Sequence, residues 1–490
     1  MKFTIFLLIH LVLAQVLMAQ SLTNNERAVQ IINRAINSLG KCPEGLEIST
    51  SGVIHNLGHY AVPEQTIDYA IQEKIGFFPS LDLAYSHTKM TKGDNNYYRD
   101  LVSKMDSAYS WDYYDETFTK SKTSGGLVEV AKSNPSWFLY LAKKEALSLR
   151  MIEASGAYNV IAVTMKDGLV YNLIIDSETF LLKRVERMVY SPIYGDALFT
   201  SSYEGYTKQR GFYIPQRRVD YEFGSVEREV TYDSLAFISI PDTSAASLKW
   251  LPAPFINSLA DVTTNEEVIV FEKLSDQIDL IKYESQNNKS LLVKFPNGLG
   301  LFEAPQGIAL NKQLVSKIKE RYPDQDITYL FLTHHHPDHA GGLKAYAGSG
   351  ATVITTSGNT DYFKKLAHTS HYSLDEGVDD KVDLLFDYVP LLGQKSYAGI
   401  VTAYEIGEDT GHTDQHLVFY FPDKKFLWTG DLLFFYENGR VYSGSKRAEG
   451  VYKLITEKGL DVSRVYTSWP LHGQKEYGTP EFLKKLVEND

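Results

Sequence analysis

The run Thr333-His334-His335-His336-Pro337-Asp338-His339-Ala340-Gly341-Gly342 carries the spacing His-x-His-x-Asp-His, which places four cation-ligating side chains within six residues. Neutral imidazole and carboxylate form a mixed nitrogen and oxygen donor set that suits zinc, and to differing degrees iron and manganese. A cation held there with one open position polarises a carbonyl and acidifies water, which is hydrolytic chemistry. The competing explanation is a polar loop that is rich in histidine by composition. Ligand-type residues at fixed spacing argue against it.

The flanking sequence says what positions these side chains. Residues Ile327 to Leu332 are β-branched, aromatic and apolar with no Gly or Pro, which predicts a short buried strand. Ala340 to Ala347 reads as the first turns of a helix. The histidines therefore sit on a loop leaving a strand end, where a rigid scaffold aims several ligands at one point.

With those residues in view, the stretch resembles the signature motif of the metallo-β-lactamase-fold hydrolase superfamily. Three further motifs of that superfamily follow in its order: Gly411-His412-Thr413, Thr429-Gly430-Asp431 and Leu471-His472-Gly473. The resemblance covers roughly the C-terminal half of the chain. It implies an αββα sandwich with the metal site on loops at one edge of the two central sheets. It also implies that His334, His336 and His412 hold one metal, that Asp338, His339 and His472 hold a second, and that Asp431 lies between them. Two zinc ions per chain is the cofactor expectation, with Asp338 also orienting the nucleophile and carrying its proton. The ligand set, complete without cysteine, is similar to that of glyoxalase II-like thioesterases, lactonases and related hydrolases. Glu303, in Phe302-Glu303-Ala304-Pro305, takes the early supporting position where many relatives have Asp. His335 is expected to point away from the metals, and Asp414 and His416 have two readings, polar residues of an exposed loop or partners that fix the tautomer of His412.

A chain of 490 residues is too long for one ordinary core, so two or more domains are expected. Lys2 followed by the apolar run Phe3 to Ala19 reads as a secretory signal cleaved near Ala19-Gln20. That predicts export to the periplasm or medium and no stable membrane insertion afterwards. Cys42 is the single cysteine, so no intramolecular disulfide forms and no cysteine pair binds metal. The net charge of −12, with no Lys/Arg run, excludes nucleic acid as a partner and leaves a small-molecule substrate. Oligomeric state leaves no trace in the sequence.

The fold class expected is α+β followed by α/β: a signal peptide at 1–20, an N-terminal α+β domain at 21–250 with a mainly antiparallel sheet, and a metallo-β-lactamase sandwich at 255–490. Val29, Ile32, Ile36 and Leu39 mark one face of a first helix, and Ser136 to Arg150 reads as another. Strands from Tyr158 to Ile240 form a meander whose first hairpin turns at Asp167-Gly168. The pattern of that half resembles the half-barrel of periplasmic lipoprotein carriers. Pro241 to Pro254 is linker-like. His55, His59 and His87 lack metal-ligand company and read as ordinary surface or core residues, while His368 and His371 read as solvated.

These residues support an exported dinuclear zinc hydrolase acting on an ester, thioester, lactone or amide. A mononuclear iron oxidoreductase of the same fold is the second reading. A binding protein whose N-terminal sheet carries an apolar ligand, beside a vestigial metal domain, is the third.

Overall fold

The computed structural model describes residues 24–40, 43–104, 107–113, 117–121, 125–166, 168–191, 193–239, 267–371, 383–438 and 445–488. The signal segment, Cys42, Asp167 of the expected hairpin turn and the Pro241–Pro254 linker lie outside the described residues. The chain forms two compact units. The first holds residues up to His55, then Asp68–Val189 and Ala197–Thr264; the second holds Asn56–Ile67, Tyr190–Asp196 and Asn265–Asp490. No helix among the described residues is long and apolar enough to cross a membrane.

The first unit is built on a 13-stranded sheet. Its two halves are meanders joined where the strand Leu46–Leu57 pairs antiparallel with Ser225–Phe237. The expected hairpin is present as Tyr158–Met165 against Val170–Asp176. The helix at 24–39 buries Ala28, Ile32, Ala35 and Leu39, while Val29 is 37% exposed. The apolar face is thus rotated by one residue from the one the large side chains suggested, with Ala28 and Ala35 fully buried in the core in place of Val29 and Ile36.

The second helix is shorter than expected. It spans Pro135–Glu145, starting at an Asn134 cap whose side chain accepts from Trp137 N, with Pro135 fixing the first turn. Residues Ala146–Ala154 leave it as a strand and pair with Tyr158–Met165, so strand pairing overrides the helical reading of that stretch. A cavity of about 460 Å³ in this unit is lined by Glu73, Lys132, Arg218, Asp220 and Arg228, among others. Glu73 pairs with Arg228 at 3.1 Å and Asp220 with Arg218 at 3.2 Å.

The second unit has four layers. A seven-stranded sheet begins as antiparallel strands, Ile269–Lys273, Ile278–Tyr283, Asn288–Phe295 and Gly298–Phe302. It continues in parallel through Ile327–Phe331, Thr352–Thr355 and Leu385–Tyr388. A five-stranded sheet comprises Gln394–Tyr397, Val401–Glu405, Leu417–Phe421, Phe426–Trp428 and Arg464–Tyr466. Leu280, Leu291, Phe302 and Phe331 of the first sheet share one core with Phe419, Phe421 and Trp428 of the second. Helices Ile308–Arg321 and Thr360–Ala367 cover the outer face of the first sheet, and Lys446–Glu457 and Pro480–Glu488 that of the second. The strands buried between layers read as continuous apolar runs for this reason.

Candidate metal centre

The strand Ile327–Phe331 ends one residue earlier than the apolar run implied, and the ligand loop follows it directly. The continuous helix expected over 340–347 is instead a four-residue helix, Pro337–Ala340, then a 3₁₀ turn at Leu343–Tyr346. Pro337 at the first helical position sets the turn that presents Asp338 and His339. Gly430 is left-handed (φ 65°), and a Cβ there would sit 2.9 Å from Thr333 Oγ1 and 3.3 Å from His416 Nε2. Only glycine lets the chain turn that close to the histidine loop and aim Asp431 at it.

Two groups of ligand atoms result. His334, His336, His412 and Asp431 form one; Asp338, His339 and Asp431 form the other. Within each group the atoms lie within 4.8 Å of one another, and Asp431 belongs to both. Asp431 Oδ1 is 2.9 Å from His412 Nε2 and 3.7 Å from both His334 Nε2 and His339 Nε2. His339 Nε2, Asp338 Oδ1 and Asp431 Oδ1 are buried, and the groups that face His339 Nε2 and Asp431 Oδ1 are other members of the two sets, Asp338 Oδ2 at 3.3 Å and His412 Nε2 at 2.9 Å. Imidazole nitrogens and carboxylate oxygens that converge on one another in a buried place form a donor set that fits a divalent cation.

Neighbouring groups fix the tautomers. Glu303, fully buried, has Oε1 3.3 Å from His339 Nδ1 and accepts the Thr333 hydroxyl at 2.7 Å. His339 therefore keeps its proton on Nδ1 and turns Nε2 towards Asp338 and Asp431. His336 Nε2 donates to the carbonyl oxygen of Tyr60 at 3.0 Å, which leaves Nδ1 as its ligand atom. His416 is buried, neither an exposed loop residue nor a partner of a His412 ring nitrogen. Its ring stacks on His334 at 4.7 Å and its Nε2 donates to Thr429 O at 3.1 Å.

Burial, reinforced by the neighbouring imidazoles, holds His334 and His336 well below the usual histidine range, and burial lowers His412 as well. These three rings are neutral, the form that ligates metal. His339 is the exception. Burial acts to lower it, but the Asp338, Glu303 and Asp431 carboxylates raise it well above that range. Burial likewise works against the charge on Asp431, yet His412 and His339 hold its carboxyl well below the carboxylate range. The second group thus attracts a positive charge.

Not every expected residue joins. His472 is exposed and lies outside both groups. Its amide is held at 2.7 Å by Asn287 Oδ1 and its Nε2 donates to Glu284 O at 2.8 Å, so the ring is anchored elsewhere. His335 is buried and outside both groups, with burial pushing it down to about 4. His371, expected to be solvated, is buried against Tyr190 and Thr369. His55 and His87 pair with Asp68 and Asp100. His59 does not fit the bland reading: its Nε2 is 3.8 Å from Asp338 Oδ1 and its ring centroid 5.3 Å from that of His336. Nothing in the sequence around His59 signals this, because its partners are supplied by residues far along the chain.

Residues 301–469 match the family model of the metallo-beta-lactamase superfamily. The hydroxyacylglutathione hydrolase of Hyphomonas neptunium is 32% identical over 148 residues, covering 29% of this chain and 50% of that protein. The same enzyme of Hydrogenovibrio crunogenus is 29% identical over 166 residues, covering 32% of this chain and 53% of its own. The chain spans about half the length of these curated relatives. A solved metallo-beta-lactamase from Pontibacter korlensis is 19% identical with a TM-score of 0.33, covering 46% of this chain and 100% of that one. The matched family model, together with a ligand loop, a shared aspartate and four layers in the expected order, makes residues 301–469 a metallo-β-lactamase superfamily domain.

Proposed function

We propose that the chain is an exported, metal-dependent hydrolase of a carboxyl-derived bond: ester, thioester, lactone or amide. The observation that carries this is Asp431, which is common to two convergent groups of ligand atoms. His334, His336 and His412 would hold one zinc ion, Asp338 and His339 the second, and Asp431 would face both. When bound, such a pair acidifies water to near neutral pH and polarises the scissile carbonyl.

The chain's own residues do the rest. Glu303 and Tyr60 O hold two imidazoles in the ligating tautomer. Asp338, with Oδ2 3.3 Å from His339 Nε2 and Oδ1 unpartnered, is the group positioned to orient attacking water and accept its proton. Arg447 NH1 donates to the Asp431 backbone carbonyl at 3.1 Å, which steadies the shared aspartate. The relatives' names point to a thioester within this class, and the N-terminal Lys2-to-Ala19 pattern supports export.

Metal analysis of purified protein, with turnover of chromogenic esters, thioesters, lactones and β-lactams measured with and without a chelator, tests the proposal. Two zinc ions and chelator-sensitive hydrolysis of one class support it; hydrolysis that is insensitive to chelator overturns it. The position of His472 favours one second reading, a mononuclear iron oxidoreductase, because it removes a ligand from the second group. One tightly bound iron and no hydrolysis would establish that reading instead.

A further inference from the structure

The segment Asn56–Ile67 interrupts the first unit in sequence and belongs to the second. It touches the histidine loop and the loop that carries His412. The Tyr60 carbonyl accepts from His336 Nε2 at 3.0 Å, and the Ala61 carbonyl accepts from the amide of Asp414, two residues after His412, at 2.8 Å. Glu64 forms an ion pair with Lys365. Immediately before these anchors His59 faces Asp338, with Nε2 at 3.8 Å from Oδ1, and neither His59 Nδ1 nor Asp338 Oδ1 has a hydrogen-bond partner.

The segment's path depends on Gly58. It is left-handed at φ 92°, and a Cβ would meet Tyr194 OH at 2.8 Å and Pro337 Cγ at 3.0 Å. Pro337 belongs to the ligand motif itself. The segment therefore packs at the closest distance that a backbone allows, and any larger residue must displace it.

A carbonyl oxygen only accepts, so His336 must carry its proton on Nε2. That contact reaches across 276 residues of sequence to a ring that otherwise is free to choose its tautomer.

We infer that segment 56–67 is a working part of the metal centre: the Tyr60 carbonyl selects the ligating tautomer of His336, and His59 is a positioning residue for Asp338. The inference rests on the metal-hydrolase reading above, but only its second half depends on turnover. The metal centre is thus assembled from the ligand loop at 334–339, His412, Asp431 and segment 56–67, whose Tyr60 lies 276 residues before the ring it holds.

Three measurements on the full-length chain test it. In zinc-loaded protein, ¹⁵N-histidine NMR should show His336 protonated at Nε2 and metal-bound at Nδ1; the opposite tautomer overturns the inference without any variant. Chelator competition should show Gly58→Val binding zinc about 10–100-fold more weakly, the range for loss of a group that orients a ligand. Affinity within twofold of the parent, with an unchanged circular dichroism spectrum, overturns it. If that variant does not fold, the NMR result stands alone and decides. On whichever substrate the parent hydrolyses, His59→Ala should lower kcat about 10-fold at unchanged KM, and His59→Gln should restore most of it. A raised KM with unchanged kcat, or no rescue by Gln, removes His59 from this role. A parent that hydrolyses nothing on the panel refutes the hydrolase reading, whereas the tautomer and zinc measurements still decide the role of the segment.

Discussion

Glu303 Oε1 lies 3.3 Å from His339 Nδ1 with both side chains wholly buried, so one carboxylate at the end of the strand Gly298–Phe302 orients a ligand on the facing loop. The same carboxylate receives the Thr333 hydroxyl at 2.7 Å and the Trp428 indole at 3.4 Å. Glu303 is itself left-handed at φ 73°, a conformation that a non-glycine residue holds only when its surroundings fix it. Glu303→Gln keeps the volume and removes the charge, so zinc affinity in chelator competition is expected to fall by about 10–100-fold with the fold intact. Glu303→Ala also opens a buried gap and leaves His339 Nδ1 with only the Ser468 hydroxyl at 3.3 Å and the Thr333 hydroxyl with only His334 Nδ1 at 3.0 Å. Its urea midpoint should drop by the equivalent of about 3 kcal/mol.

Asp431 and His472 separate the two arrangements of the second site. Asp431 belongs to both ligand groups, whereas His472 is held by Asn287 and Glu284 outside them. Asp431→Asn should reduce bound zinc to one ion or fewer per chain. His472→Ala should leave the stoichiometry of the parent unchanged. Loss of one ion in His472→Ala would mean that the ring leaves Glu284 O on metal binding.

The histidine motif is legible as ligand spacing on a loop after an apolar run, whereas the shared aspartate and the layer order follow from the resemblance of four short motifs to those of a known superfamily. The register of the helix at 24–39 is not legible, since Ala28 and Ala35 are fully buried in place of the larger Val29 and Ile36 that dominate a pattern search. The helical reading of Ala146 to Arg150 fails because local propensity is weak evidence against pairing with Ala162 to Met165. His59 was invisible for a different reason. A side chain gains its function there from groups brought together only by the tertiary fold, and no window of sequence contains them. His472 shows the converse, a motif match that local hydrogen bonds hold away from the site its spacing suggests.

Zinc uptake should release a proton, and the release should come mainly from His339. Its ring is raised well above the ordinary histidine range because three carboxylates outweigh burial, so it is protonated near neutral pH when no cation is bound. A metal must displace that proton, so affinity at the second group rises with pH and falls as the solution is acidified. Calorimetry of zinc binding in buffers of different ionisation enthalpy should give a release near one proton per chain from this group. In Glu303→Gln one of the three carboxylates is gone, and the release at pH 7 should be smaller. An unchanged count in that variant would show that His339 is not the source.

Lys289 sits in the strand Asn288–Phe295 at 2% exposure, and burial followed by repulsion from Lys282 pushes its ammonium down to about 8 from an ordinary 10.5. The native state therefore binds fewer protons here than the unfolded chain between pH 8 and 10.5. Stability must rise with pH across that window, and the penalty for the buried charge is fully present below it. At about 1.4 kcal/mol per pKa unit, the penalty is about 3 kcal/mol. Lys289→Met keeps a similar volume and removes the charge. It should stabilise the protein by up to that amount at pH 7, with the gain shrinking towards zero as pH approaches 10.5. Denaturant titrations of parent and variant at pH 7, 9 and 10.5 give the comparison. A gain independent of pH would mean that packing, not desolvation of the ammonium, separates the two proteins.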